Sequence, residues 1–273
     1  MAKIDLTGRT IAITGASSGI GRATALLCAR EKMNVVVGAR REDRLRSLVD
    51  EIASAGGRAS YVVMNVRTPG DNRRLIDAAT KEFGSLYSVF SNAGYGVERK
   101  VMDCSRENLA DIFDTNFWSS LELCQLGARH MLDANAGPDR GHVLLCSSCV
   151  SKIGLPNFAA YSGTKALQDH FGRAMRIELA DAGVHVSTVH PIGTRTEFFD
   201  MARELSGGKR TSIQTPESFK QPAETVAKAI VRCLKKPRGE VWTSLPMRTA
   251  LSLVTLMPRL ADRILTRRMR GRQ

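Results

Sequence analysis

Tyr161 and Lys165 stand four residues apart in the run AYSGTKA from Ala160 to Ala166, and Ser148 lies thirteen residues upstream of the tyrosine in the run CSSC from Cys146 to Cys149. On a helix, residues at i and i+4 share a face, so the Lys165 ammonium can lie beside the Tyr161 phenol. A free phenol ionises near a pH of about 10, and a positive charge held within ~4–6 Å favours the phenolate. Bringing that pKa to about 7 takes roughly 4 kcal/mol of differential interaction. A tyrosine treated in this way is an acid/base catalyst near neutral pH. Taken alone, the same pair also describes a half-buried aromatic ring beside a solvated lysine, so the surrounding residues must decide.

A second group of chemically useful residues stands near the N-terminus. The apolar and β-branched run from Thr10 to Thr14 reads as a strand, and the residues after Gly19 are apolar at helical spacing. Gly15, Gly19 and Gly21 therefore fall at a strand–turn–helix junction, where unpaired helix N–H groups and the helix dipole favour a pyrophosphate. Ser17 and Ser18 add hydroxyl donors. The spacing is G-x-x-x-G-x-G rather than G-x-G-x-x-G. Glycines that serve only a tight turn are the plainer alternative.

The elements that must position these groups alternate along the chain. The pattern predicts strands at 9–14, 34–38, 59–64, 86–91, 141–147, 184–190 and near 239–243. It predicts helices at 19–31, 42–55, 70–83, near 106–133, 157–181 and 222–236. Continuously apolar strands such as Val35 to Val37 and Val143 to Leu145 suit a parallel sheet covered on both faces. The expected class is therefore α/β, a single-domain, Rossmann-like, doubly wound parallel sheet of about seven strands. At 273 residues with 43% hydrophobic content, the chain can bury such a core. The start, MAKIDL, has no apolar signal segment, so the six cysteines are expected to be free thiols in a reducing cytoplasm. Cys146-x-x-Cys149 has no second ligand pair at metal spacing, and no metal is expected.

Taken jointly, TGASSGIG from Thr14 to Gly21, SNAG from Ser91 to Gly94, Asn116, Ser148 and Tyr161-x-x-x-Lys165 resemble the short-chain dehydrogenase/reductase family, over about residues 5–245. The resemblance implies hydride transfer between a nicotinamide coenzyme and a carbonyl or secondary alcohol. Tyr161 would be the acid/base, and Ser148, preferred to Ser147 by its offset from Tyr161, would hydrogen-bond the substrate oxygen. Lys165 would hold the ribose hydroxyls and lower the phenol pKa, and Asn116 would anchor a water that relays protons to Lys165. The implied coenzyme contacts are Gly15, Ser17, Ser18, Gly19, Ile20, Gly21, Asn65, Val66, Asn92, Ala93, Gly94, Tyr161, Lys165, Pro191, Thr194 and Thr196.

After the second strand the usual acidic position is Ala39, followed by Arg40 and Arg41, which suits a 2′-phosphate and hence NADP(H). Three residues depart from the family pattern: Asn65 replaces an aspartate, Ser91 replaces an asparagine, and Ile192 takes the glycine position after Pro191. The family also implies a homodimer or homotetramer through the helices at 106–133 and 157–181.

The segment 193–221 is expected to form a flap over the substrate, with Phe198, Phe199, Met201 and Leu205 as its apolar face and Gly207-Gly208 as a hinge. Cys149, Ile153, Leu155 and Tyr95 would add apolar lining. An apolar or lipid-like carbonyl compound is favoured over a polar one.

Beyond a domain of residues 1–246, the extension 247–273 carries seven arginines against one aspartate, within a net charge of +13 for the whole chain. Its arginines and leucines fall on separate helical stripes. Two readings stay open: peripheral contact with an anionic membrane, or packing on its own fold or a partner subunit with a solvated basic face. No nucleic-acid module is present, and aromatics are only 5% of the chain, so nucleic acid is not an expected partner. The competing function is a non-catalytic NADP(H) sensor on the same fold.

Overall fold

The computed structural model describes residues 3–207 and 220–270. The middle of the expected flap, 208–219 with Gly208, and residues 271–273 lie outside the described residues.

The first half alternates as its hydrophobic pattern requires: β1 (Thr10–Thr14), α1 (Gly19–Arg30), β2 (Asn34–Ala39), α2 (Glu42–Ser54), β3 (Arg58–Val63), α3 (Asp71–Phe83) and β4 (Ser88–Ser91). The long helical stretch then divides into α4 (Arg106–Phe113), one widened π-turn (Asp114–Trp118) and α5 (Ser119–Ala134). Next come β5 (Gly141–Cys146), a short 3₁₀ turn (Cys149–Lys152), α6 (Ala159–Glu178) and β6 (Val184–His190). The flap contributes β7 (Thr194–Arg195), α7 (Phe198–Leu205) and β8 (Gln221–Pro222). The chain continues through α8 (Ala223–Lys235), β9 (Glu240–Trp242), α9 (Leu245–Leu256) and α10 (Pro258–Arg270).

Seven strands form one parallel sheet in the order β3-β2-β1-β4-β5-β6-β9, with β7 and β8 paired separately. Alternate residues of each strand feed opposite cores. Ile11, Ile13, Val35 and Val37 pack with Leu45, Leu48 and Ile230 on one face, while Ala12, Val36, Val89 and Val143 pack with Leu75, Ile76 and Leu123 on the other. Strand order reverses between β1 and β4, so the C-terminal ends of β1, β4, β5 and β6 open onto one crevice. α6 lies close against the sheet because Gly172 has no side chain: a Cβ there would stand 2.6 Å from the Thr188 methyl.

Two expectations are refined by the fold. The helix predicted near 106–133 is interrupted at the π-turn, which carries Asn116. The C-terminal extension is two helices, because the Pro258 ring cannot continue α9, and α10 packs on α9 while α9 rests on the turn at 149–152.

Imidazoles are buried in this sheet. His142 on β5 is fully inaccessible, its Nε2 lies 2.8 Å from Ser187 Oγ, and burial pushes its pKa from 6.5 down to about 3. The folded chain therefore holds it neutral while the unfolded chain binds a proton below about 6.5. Its contribution to stability is undiminished above that pH and falls by up to about 1.4 kcal/mol per unit below it. In chemical denaturation, the stability gap between wild type and His142→Leu is expected to narrow between pH 6.5 and pH 5.

Candidate active site

β5 ends at Cys146, and the next two residues turn into the crevice. Ser147 is 2% exposed and donates through Oγ to the Lys165 carbonyl at 3.0 Å, so it ties β5 to α6. Ser148 Oγ accepts from Val150 N at 3.3 Å and hydrogen-bonds the Tyr161 phenol, favouring the phenolate. Of the two serines, Ser148 is the one placed against Tyr161. Its carbonyl lies 3.3 Å from His190 Nδ1, and the His190 ring stacks on Trp242 at 4.4 Å, a support that no local sequence pattern announces.

Tyr161 and Lys165 share one face of α6, with Lys165 Nζ 5.7 Å from the centre of the Tyr161 ring. Burial pushes the phenol above its ordinary value and is the largest influence on it; the nearby Cys146 and Cys149 thiols add to this and the Ser148 hydrogen bond opposes it. Burial likewise pulls the Lys165 ammonium below its usual range. Desolvation of the phenol favours its proton-carrying form. That is the form needed to donate a proton to an alkoxide.

The Lys165 ammonium donates to the Cys146 carbonyl at 2.5 Å and to Gln168 Oε1 at 3.0 Å. Gln168 Nε2 in turn donates to the Asn116 carbonyl at 2.5 Å and to Ser120 Oγ at 3.1 Å. The Gln168 carboxamide thus joins the Asn116 carbonyl to the Lys165 ammonium. The physical reason is reach: Gln168 sits one turn beyond Lys165 on the same helix, and the π-turn at 114–118 leaves the Asn116 carbonyl free to accept. The Asn116 side chain holds the Tyr95 backbone, accepting from its N–H at 3.0 Å and donating to its carbonyl at 2.9 Å. It also donates to Thr164 Oγ1 at 3.1 Å.

The glycine-rich turn fits a dinucleotide. Gly15 has φ +66°, and a Cβ there would come within 2.8 Å of Ala93 Cα; one on Gly21 would come within 2.6 Å of the Gly15 carbonyl. Ser18 is the N-cap of α1 but makes no side-chain cap, and the first turn of α1 has no acidic residue, which leaves N–H groups and hydroxyls facing the crevice. Gly94 brings the β4 end against the Asn116 amide, and a Cβ there would meet Asn116 Oδ1 at 3.0 Å and Lys165 Nζ at 3.6 Å.

Most of the other residues expected at the coenzyme also bond within the fold. Asn92 Nδ2 donates to the Thr14 and Gly15 carbonyls at 3.0 and 3.2 Å, and Thr14 Oγ1 accepts from the backbone N–H groups of Asn92 and Ala93. Asn65 is exposed and its Oδ1 accepts from Arg67 N at 3.2 Å, while Val66 is half-buried beside it. The Pro191 carbonyl accepts from Cys149 N at 3.0 Å. Thr194 is buried and bonded to the Ile192 carbonyl and Gln221, whereas Thr196 presses its methyl on Gly19. Arg41 donates to Ser17 and Ser18 at 3.0 and 3.1 Å, whereas Arg40 is exposed beside it. Arg44 and Glu197, which sequence reasoning passed over, complete this corner: Glu197 lies 2.8 Å from Arg41 and 3.8 Å from Arg44.

A family model described as short chain dehydrogenase matches residues 9–206. The chain belongs to that family. It is 29% identical to the oxidoreductase YxnA of Bacillus subtilis over 97% of this chain and 73% of that protein. It is 35% identical to an A-factor type gamma-butyrolactone 1′-reductase of Streptomyces virginiae over 71% of this chain and 74% of that one. A short-chain dehydrogenase/reductase from Burkholderia phymatum, solved in complex with NAD, superposes with a TM-score of 0.83 over 94% of this chain and 96% of its own at 24% identity, which speaks to fold. The protein is thus an oxidoreductase of a family that binds nicotinamide coenzymes and acts on small molecules.

Gln168 is 1% exposed, so replacing it strands polar groups. Gln168→Leu is expected to lose about 1–3 kcal/mol of stability in urea denaturation, the cost of a buried carbonyl and ammonium left without partners. An unchanged midpoint would count against the bridge.

Proposed function

We propose that this protein is an NADP(H)-dependent reductase or dehydrogenase acting on a carbonyl or secondary alcohol, with Tyr161 as its acid/base. The observation that carries the reading is the convergence of Ser148, Tyr161 and Lys165 beneath the glycine-rich turn. The coenzyme supplies or accepts the hydride when bound. Gly15, Ser17, Ser18, Gly19, Ile20 and Gly21 would hold its pyrophosphate through helix N–H groups and hydroxyls. Arg41, placed against Ser17 and Ser18, is the group that suits a 2′-phosphate, and Ala39 puts no carboxylate in its way.

In the reducing direction, Ser148 would orient the substrate oxygen and Tyr161 would give up its proton as charge develops there. Lys165, fixed by Cys146 and Gln168, retains an ammonium hydrogen to hold ribose hydroxyls and to stabilise the phenolate left behind. Phe198 and Phe158, with ring centres 5.2 and 6.4 Å from that of Tyr161, exclude water from the phenol. Such lining favours an apolar substrate. Of the flap residues expected to form its apolar face, Phe198 is the one set against Tyr161, while Leu205 is largely exposed and Ala202 takes the buried position.

The crevice also supports turnover over a sensor role, because the acid, its hydrogen-bond partner and its buried cation are all in place. Exposed Trp118 and Phe171, both in contact with Phe117, leave aromatic surface on the π-turn and α6 that suits self-association. We place the enzyme in the cytoplasm. NADPH oxidation, with NADH in parallel, against aldehydes, quinones, β-ketoacyl thioesters, steroids and long-chain ketones tests the assignment. Turnover is expected with NADPH on an apolar compound, and Tyr161→Phe should lower kcat by orders of magnitude with coenzyme affinity nearly kept. Near-normal turnover in Tyr161→Phe would sink the mechanism.

The extension, distinct from the 1–246 unit, supports peripheral attachment to an anionic membrane. Among the described residues no helix is long and apolar enough to cross a bilayer. α9 buries Leu251 and leaves Leu245, Leu253 and Leu256 exposed on the opposite side, and α10 exposes Leu260 and Ile264 beside Arg259, Arg263 and Arg267. Apolar rows flanked by arginines suit a helix lying in an anionic interface. In liposome flotation the protein should rise with phosphatidylglycerol vesicles and not with phosphatidylcholine, and Leu253→Glu with Leu260→Glu should abolish this. Flotation unaffected by the double change would remove the extension from the membrane contact.

A further inference from the structure

Two arginines converge on one carboxylate, and two serines of the glycine-rich turn hold one of them. Arg41 Nη2 lies 2.8 Å from Glu197 Oε2 and Arg44 Nη1 lies 3.8 Å from Glu197 Oε1. The same Arg41 Nη2 donates to Ser17 Oγ at 3.0 Å and to Ser18 Oγ at 3.1 Å, and its Nε donates to Ser17 Oγ at 3.3 Å. A guanidinium flanked by hydroxyls and a second arginine is a seat for a doubly charged oxyanion. Here a singly charged side chain of the same protein fills it.

Glu197 is not a neutral choice of occupant, because of its neighbours in the chain. Thr196, just before it, presses its methyl on Gly19 at the pyrophosphate turn, and Phe198, just after it, lies with its ring 5.2 Å from that of Tyr161. Glu197 itself leads directly into α7. Three consecutive residues therefore span the coenzyme turn, the arginine seat and the catalytic phenol.

We propose that Glu197 is a built-in competitor for the 2′-phosphate of the coenzyme, and that its displacement releases the start of the flap. The proposal rests on the NADP(H) reading given above. A phosphate monoester carries more charge than one carboxylate and presents three oxygens to the same donors, so it takes Arg41 from Glu197. An adenosine ligand without the 2′-phosphate leaves the Arg41–Glu197 pair standing. Glu197 thereby weakens binding of the phosphorylated coenzyme and makes movement of residues 196–198 conditional on that phosphate.

The test needs no substrate. Binding of 2′,5′-ADP and of 5′-AMP to wild type and Glu197→Gln is measured by isothermal titration, and amide hydrogen exchange is followed in α7. The variant is expected to bind 2′,5′-ADP about fivefold tighter, the scale of one exposed ion pair, with 5′-AMP unchanged. In wild type 2′,5′-ADP should speed exchange in α7 and 5′-AMP should not; in the variant exchange should be fast without ligand. Glu197→Asp, which keeps the charge, should return toward wild type. Equal or weaker 2′,5′-ADP binding by Glu197→Gln, with wild type still preferring 2′,5′-ADP over 5′-AMP, overturns this proposal alone. A wild type that does not prefer 2′,5′-ADP overturns the NADP(H) reading and this proposal with it.

Discussion

A lysine ammonium that is 4% exposed must be satisfied by fixed dipoles, and the site is organised around that requirement. Cys146 supplies a carbonyl from the end of β5, and Gln168 supplies another oxygen from the next turn of α6. Gln168 then needs acceptors for its own two amide hydrogens and finds them on Asn116 and Ser120, either side of the junction between the π-turn and α5. One buried charge thus locks three elements in register. The same elements present Ser148 and Tyr161 to the crevice.

The sheet makes such a lock affordable in structural terms by placing strand ends together. Parallel strands whose order reverses between β1 and β4 bring Gly15, Gly94 and Ser148 to one edge. Close approach there depends on missing side chains. Thr14 and Asn92 bind that edge with a small web of hydrogen bonds, so the two strand ends move as one piece. Asn92 thereby fixes the glycine-rich turn from the neighbouring strand end.

The other pole of the site is electrostatic and more exposed. Arg41, Arg44 and Glu197 are solvent-accessible, and their pairing is of the kind that exchanges partners at low cost, unlike the buried Lys165 network. The buried network and the exposed rim thus differ in how readily their contacts exchange.

Continuously apolar runs and apolar residues recurring at 3.6 residues determined most helices and strands of the sheet, since they leave few alternatives once turns are marked by glycine. The i, i+4 relation of Tyr161 and Lys165 and the turn at Gly15 to Gly21 were equally local, because their geometry is set within five to seven residues. Only the folded chain decided what Lys165 touches: Gln168 and Asn116 are fifty-two positions apart, and a carboxamide between them has no local signature. Tertiary placement also separated Arg41 from Arg40, neighbours whose contacts differ because adjacent side chains point to different surroundings. It turned Thr194 inward and brought Glu197 to Arg41 and Arg44 across more than 150 residues of sequence. The phenol makes the same point about energy. Sequence shows the charge that would lower its pKa, while the opposing desolvation depends on every side chain packed around it and exists only once the fold has closed.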